Sequence, residues 1–288
     1  MLDVYCSNGF CRDVTVESSV NYFVKNGITK IEISSGMNNT ETLLFLKKMV
    51  SAGIKLRLHN YFPNLDQDFV LNLASKDDEL RQMSKALVLR AIQWSSELNS
   101  EYYAFHAGFR ISPKPFELGG NMVTAEQVSF VESRDIFVDQ LFEIAEVANN
   151  YGVNIAVENN VYDIDNYARF GNDNPFLLTG DTVSDITNFF PENIGILLDV
   201  GHLKVSSQTL GFDKYEAIRR WKGKINGLHL SDNDGKKDTN NGFDETCWFY
   251  GISTEHVTAV TIEVYNETPN KLLKYVDTIE SKIYDSYS

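Results

Sequence analysis

Apolar and β-branched residues fall in short runs along this chain, separated by longer stretches whose apolar positions recur at helical spacing. The short runs read as strands: LDVYCS (2–7), KIEIS (30–34), KLRLHN (55–60), YYAFHA (102–107), NIAVEN (154–159), IGILLD (194–199), INGLHL (225–230) and AVTIEVY (259–265). Between them, TETLLFLKKMVSAG (40–53) predicts a helix closed by Gly53, and DELRQMSKALVLRAIQWSSEL (78–98) predicts a second. The segment 124–150 predicts a third, opening on TAEQ in the manner of a capping box.

Strand followed by helix, about eight times in 288 residues, predicts an α/β chain folded as a (β/α)8 TIM barrel. A doubly wound sheet alternates in the same way, but no glycine-rich phosphate turn follows the first strand. No low-complexity tract, Pro/Gly-rich linker or compositional break interrupts the chain, so one domain over 1–288 is expected. The longest strand-to-helix connections are expected after strands four (109–123), five (160–179) and seven (231–250). They belong to the C-terminal face of the barrel, where active sites of this architecture sit.

Composition narrows the partners. A hydrophobic content of 43% is ample for a large core, and 26 basic against 40 acidic residues give a net charge of −14. Such a chain repels polyanions, which disfavours nucleic acid as a ligand. The odd count of three cysteines (Cys6, Cys11, Cys247), with no secretory apolar region after Met1, predicts reduced structural thiols and a cytoplasmic setting. No apolar run approaches the roughly 18 residues needed to span a bilayer.

The polar residues fall at the ends of the predicted strands. His59, His106, His202 and His229 sit at or just after C-terminal strand ends, and Glu158, Asp199 and Glu263 occupy the matching places on other strands. Any one of them could be a satisfied polar residue at the rim of a core. Together they converge on one mouth, where carboxylates and imidazoles would destabilise one another without a cation. A divalent metal (Mn2+, Co2+, Zn2+ or Mg2+) suits this mixed nitrogen and oxygen donor set. Gly201 is expected to let the chain turn tightly so that His202 faces the same cavity as Asp199. His256 precedes strand eight and is expected at the opposite face or on the surface.

The motifs HNYFP, FHAG, VENN, LDVGH, HLSDNDGKKD and IEVY occur in this order from strand three to strand eight. In them the chain resembles the xylose isomerase-like barrel superfamily of sugar and sugar-phosphate isomerases and epimerases, which also contains endonuclease IV. The resemblance to its ketose epimerases implies one metal held by Glu158, Asp199, His229 and Glu263. It implies Glu158 and Glu263 as the acid/base pair and His202 as a ligand of substrate hydroxyls. The resemblance to endonuclease IV implies a further metal at His59, His106 and Glu158, although lining of a sugar pocket is the plainer role for His59 and His106. A third metal in that branch would need His202 with an Asp-x-His, and this chain has Asp238-Thr239-Asn240 there.

The implied activity is metal-dependent isomerisation or epimerisation of a sugar or sugar phosphate, with a carboxylate pair moving a proton through an enediolate. A zinc-dependent endonuclease of abasic DNA and a dehydratase acting on an inosose are the alternatives. Arg110, Lys114, Lys204, Lys236 and Lys237 could grip a phosphate or carboxylate, Lys236 foremost, or could be solvated loop charges. Tyr61, Phe62, Phe109 and Trp248 could wall a sugar ring. Relatives of this fold commonly form dimers or tetramers, so the resemblance extends to homo-oligomers.

Overall fold

A computed structural model describes residues 2–11, 13–65, 67–117, 127–182, 186–253 and 255–285. Its strands are β1 (Val4–Ser7), β2 (Lys30–Ile33), β3 (Lys55–His59), β4 (Tyr102–His106), β5 (Asn154–Glu158), β6 (Ile194–Asp199), β7 (Ile225–Leu230) and β8 (Ala259–Ile262). They pair in sequence order, all parallel, and β8 closes on β1 through Val4–Val260, Tyr5–Thr261 and Cys6–Ile262. The sheet is the expected eight-stranded barrel.

The outer helices are α1 (Val16–Lys25), α2 (Thr42–Ser51), α3 (Asp78–Glu97), α4 (Phe130–Tyr151), α5 (Ile164–Phe170), α6 (Val200–Leu210), α7 (Lys214–Trp221) and α8 (Pro269–Asp285). Side-chain caps begin several of them. Thr15 accepts from Ser18 N–H at α1, Asp77 from Glu79 and Leu80 at α3, and Ser129 from Glu132 at α4. The described start of α4 is therefore Phe130, six residues beyond the expected one, and TAEQ lies largely outside the described residues.

The repeat is less regular than the sequence rhythm predicts. The connection after β5, expected as loop, carries α5, and two helices separate β6 from β7. Between β7 and β8 the described chain forms no α-helix.

Apolar residues on the outward face of the strands pack against the helices. Ile31, Ile33, Leu58, Phe105, Val157, Ile196 and Ile262 are fully buried there, with Val20, Phe23, Phe137 and Trp221 from the helices. Each such side chain stabilises the fold by about 1.5–3 kcal/mol. Inside the barrel the strands present small residues below and polar residues above. Ala104, Ala156, Leu197 and Ala259 cluster around Tyr102, whose hydroxyl fills the place where a Cβ on Gly227 would stand, 2.1 Å away. Two residues beyond Ala104, Ala156 and Leu197 stand His106, Glu158 and Asp199 at the mouth, while on β8 Thr261 comes between Ala259 and Glu263.

Candidate metal centre

Five of the eight strands end in a residue of the cluster, or lead directly into one. His59, His106, Glu158 and Asp199 are the last residues of β3, β4, β5 and β6, and Glu263 follows β8 by one position. His229 is the penultimate residue of β7 and pairs with Asp199 across the strands. All are buried except His106, whose side chain is 27% exposed.

Glu158 stands at the centre. His59 Nε2 lies 3.1 Å from its Oε2 and His106 Nε2 lies 3.4 Å from the same oxygen. On its other oxygen, Oε1, His229 Nδ1 approaches to 3.4 Å and His202 Nδ1 to 3.7 Å. His229 Nδ1 also stands 2.7 Å from Glu263 Oε2 and 3.9 Å from Asp199 Oδ2. Donor atoms of His59, His106 and Glu158 lie within 4.8 Å of one another, and so do those of Glu158, Asp199, His229 and Glu263. Both metal sets expected from the sequence are thus brought together.

The donor set fits a divalent cation. Both Glu158 oxygens and Asp199 Oδ2 are buried without a well-aligned hydrogen bond among the described residues. Burial pushes the Asp199 carboxyl up to about 7, and the neighbouring Asp238, Glu263 and Glu158 charges add to that against the opposing pull of His202. Burial would raise Glu263 too, but His229 overrides it and holds that carboxyl down at about 2. His106 is pushed down to about 4, chiefly by burial. A neutral imidazole with carboxylates beside it is the state that ligates a metal.

His202 lies one turn into α6, which follows β6 with no intervening loop. Asp199 caps that helix, its Oδ1 accepting from His202 N–H at 2.7 Å. Gly201 does not make the expected sharp turn: it is helical, and its lack of a Cβ serves close approach to Ser231 Oγ, which would lie 2.8 Å from one. The His202 ring donates from Nδ1 to Asn159 O at 2.8 Å and faces Asp238 Oδ2 with Nε2 at 3.2 Å. Burial alone would lower its pKa, but the Asp199 and Asp238 charges hold it well above the usual range.

Several contributors escape a reading of strand ends. Glu32, midway along β2, places Oε1 2.9 Å from His229 Nε2, and its Oε2 accepts from Thr261 Oγ1 at 2.7 Å. Tyr265 donates to Glu263 Oε1 at 2.8 Å, and Asn159 Oδ1 accepts from Asp199 N–H at 2.8 Å. Glu32 has a sequence signal, since KIEI alternates and its charged residue shares the inward face of the strand. Asp238 and Tyr265 sit in loops, and their signal is membership of the motifs HLSDNDGKKD and IEVY and not alternation along a strand.

Above the cluster opens a cavity of about 530 Å3, walled by His59, His106, Glu158, His202, Glu263 and Tyr61 among others, including Asp238, Asn240 and Tyr265. Lys236 does not reach it. That residue is exposed on the loop after β7, and its N–H donates to Asp234 Oδ1. The other expected anion grips are engaged elsewhere: Arg110 with Asp173 at 2.6 Å, Lys204 with Asp232 at 2.6 Å, and Lys237 with Asp163 and Asp165. Lys114 stands over the Phe116 ring, also away from the cavity. Of the four aromatics expected at a sugar, Tyr61 lines the cavity, whereas Phe62, Phe109 and Trp248 pack elsewhere. His256 is exposed, as expected.

The cysteines form no disulfide, and burial pushes the Cys6 thiol up to about 12. No described helix is long and apolar enough to cross a membrane.

Among solved structures, a D-tagatose 3-epimerase-like protein superposes with a TM-score of 0.71 at 21% identity, covering 100% of both chains. An L-ribulose 3-epimerase gives 0.67 at 15% identity, over 100% of this chain and 96% of its own. The IOLI protein with a bound zinc atom gives 0.63 at 16% identity, over 99% and 97%. In sequence, the uncharacterized protein MJ1311 of Methanocaldococcus jannaschii is 30% identical over 168 residues, which is 58% of this chain and 50% of that protein. This chain therefore spans about half the length of that relative. The family described as the xylose isomerase-like TIM barrel matches residues 20–260. With most of the barrel inside that match, the chain belongs to the xylose isomerase-like TIM barrel family.

Proposed function

We propose that this protein is a divalent-metal-dependent epimerase or isomerase of an unphosphorylated sugar, with Glu158 and Glu263 as its acid/base pair. The observation that carries this reading is the approach of both carboxylates to one imidazole nitrogen, His229 Nδ1, at 3.4 and 2.7 Å beneath an open cavity. Epimerisation needs a base to take a proton from a carbon next to a carbonyl and an acid to return one on the other face. Two carboxylates delivered from different strands, β5 and β8, supply both. Glu158, Asp199, His229 and Glu263 would hold the metal, and Mn2+, Co2+, Zn2+ and Mg2+ all accept that donor set. The metal supplies Lewis acidity toward the substrate carbonyl and adjacent hydroxyl.

His202, held through Nδ1 by Asn159 O, offers its Nε2–H to a substrate oxygen that takes the place of Asp238 Oδ2, now 3.2 Å away, while His59 and His106 line the pocket or bind a second metal. The described cavity lining contains no lysine or arginine, which favours a neutral polyhydroxylated substrate over a sugar phosphate or a DNA backbone. Two structural neighbours, a D-tagatose 3-epimerase-like protein and an L-ribulose 3-epimerase, support the same substrate class. The unpaired cysteines are compatible with a reducing, cytoplasmic setting.

The test is solvent exchange. Metal-loaded protein incubated with ketoses in D2O is expected to place deuterium at the carbon next to the carbonyl, and E158Q and E263Q are each expected to slow it by about 10²–10⁴-fold. Exchange that persists in either variant would remove it from the acid/base pair. Loss of water in place of exchange would identify a dehydratase, and nicking of abasic DNA an endonuclease.

A further inference from the structure

The opposite end of the barrel holds Arg57, a cation with no carboxylate at ion-pair distance among the described residues, although Glu32, its partner in register on β2, feels its charge. Arg57 precedes His59 by two residues on β3, so both project inward, but Arg57 faces the N-terminal end of the strands. It is 5% exposed, and its guanidinium lies 4.0 Å from the centroid of the Tyr5 ring and 5.1 Å from that of Tyr102. Aromatic faces offset part of the desolvation of a cation but accept none of its five N–H groups. Nη1 is buried without an acceptor among the described residues, and so is the Tyr102 hydroxyl. A buried N–H left without an acceptor is a costly feature for a fold to retain.

Arg57 and both tyrosines line a cavity of about 560 Å3, together with the first residues of β3 and β5, Lys55 and Asn154, and with Thr258 just before β8. The cavity therefore opens on the N-terminal face, away from the metal centre. Asp3, which also lines it, is neutralised by Lys30 at 3.0 Å and Lys55 at 2.5 Å, and Glu101 is exposed at its rim.

We propose that this floor cavity is a binding site for a small oxyanion, a carboxylate or phosphate group held by the N–H edge of Arg57. The planar guanidinium matches either group in a two-pronged hydrogen bond. The site is independent of the reaction proposed at the mouth.

The experiment follows the Arg57 side-chain Nε–H resonance in the full-length, metal-loaded protein labelled with 15N-arginine. R57K, which keeps a cation but loses the fork, identifies the resonance by its absence. Inorganic phosphate or acetate is expected to move that resonance saturably, while sodium chloride at equal ionic strength does not. Calorimetric affinity for the responding anion is expected to fall at least tenfold in R57K. A response to acetate alone identifies the occupant as a carboxylate, and a response to phosphate alone as a phosphate. N154W, which narrows the floor cavity, is expected to abolish the response. A response surviving N154W would assign the anion to the mouth and overturn the proposal, as would a resonance that neither anion moves. Should R57K fail to fold, an anomalous difference map of wild-type crystals soaked in selenate serves instead. A selenium peak within hydrogen-bond reach of Arg57 supports the site, and a map without one overturns it.

Discussion

Nε2 of His229 lies 2.9 Å from Oε1 of Glu32, a carboxylate reaching it from a strand that carries none of the expected metal ligands. Thr261 holds the other Glu32 oxygen at 2.7 Å, so the carboxylate is fixed. Beside that carboxylate Nε2 is the nitrogen that would keep its proton when a metal takes Nδ1, which is turned toward Glu158, Asp199 and Glu263. Loss of such a partner weakens metal affinity by about 10–100-fold, because the ring is no longer oriented or polarised. E32Q is expected to show a loss of that size in competition against a chromophoric chelator, with the barrel still folded by circular dichroism. Undiminished affinity would reduce Glu32 to a filler of the barrel interior.

The protonation pattern at the mouth predicts opposite pH dependences with and without metal. Asp199 is held at about 7 by burial and by nearby carboxylates, against about 3.9 in an unfolded chain. A raised folded-state pKa contributes stability that is fully present below the unfolded value and is lost as pH rises through the folded one. His202 and His229 act in the same direction. Burial would lower both, yet their carboxylate neighbours hold them well above 6.5, so their contribution is also lost on the alkaline side. Chelator-treated protein is therefore expected to melt at a lower temperature as pH rises from about 6 to about 9. A cation must displace the Asp199 proton, so metal affinity rises through about pH 7, and the metal-loaded protein is expected to lose stability toward acid instead. Melting curves of the same sign with and without metal would contradict this assignment of charges.

The strand-end residues are legible in the sequence because a parallel barrel converts a one-dimensional pattern into a three-dimensional one. Every strand points the same way, so a polar residue ending an apolar run arrives at the shared mouth. IGILLD ends in Asp199 and NIAVE in Glu158, and both reach the cluster. Glu32 obeys the alternation rule but lies before the strand end, where a run-ending criterion does not look. Asp238 and Tyr265 depend on loop conformation, which long-range contacts decide. Lys236 shows the reverse failure. Its neighbours in HLSDNDGKKD are at the site, but a turn built on Asp234 carries the lysine out to solvent.

Asp238 and Asn240 make the resemblance to the nuclease branch testable in this chain. Asp238 Oδ2 lies 3.2 Å from His202 Nε2, and both residues line the cavity with Asn240. Only the histidine of the Asp-x-His pattern is replaced. Asn240 has a φ of 45°, a conformation in which histidine is several-fold more common than most side chains. N240H is expected to raise bound zinc by about one equivalent per chain, because an imidazole is a good zinc ligand and an amide is not. Metal content by mass spectrometry after zinc loading checks this, and an unchanged stoichiometry would show that His202 and Asp238 are not poised as ligands.

Gly201 tests whether the close packing beside Asp199 matters. A Cβ there would come within 2.8 Å of Ser231 Oγ, 3.1 Å of Asn233 Nδ2 and 3.2 Å of Asp199 Oδ1. Hydrogen bonds hold two of these atoms, Asp199 Oδ1 to His202 N–H and Asn233 Nδ2 to Gly201 O, and packing confines Ser231 Oγ. Ser231 is fully buried, and Asn233 is tied to Gly201 O at 3.0 Å and to Gly235 N–H at 2.9 Å. Overpacking of this kind costs about 1–3 kcal/mol. Replacing glycine by alanine in a helix returns somewhat less than about 1 kcal/mol. G201A is therefore expected to be destabilised by about 1–2 kcal/mol net, seen as a fall of several degrees in Tm. Gly223 provides the comparison, since a Cβ there meets nothing within 4 Å, and G223A is expected to stay within about 0.5 kcal/mol of the parent. Because the crowded atoms include a carboxylate oxygen of Asp199, G201A is also expected to bind metal more weakly, whereas G223A is not. Equal stability and equal metal affinity in the two variants would mean that the α6 terminus can shift to admit a methyl group without disturbing the carboxylate that caps it.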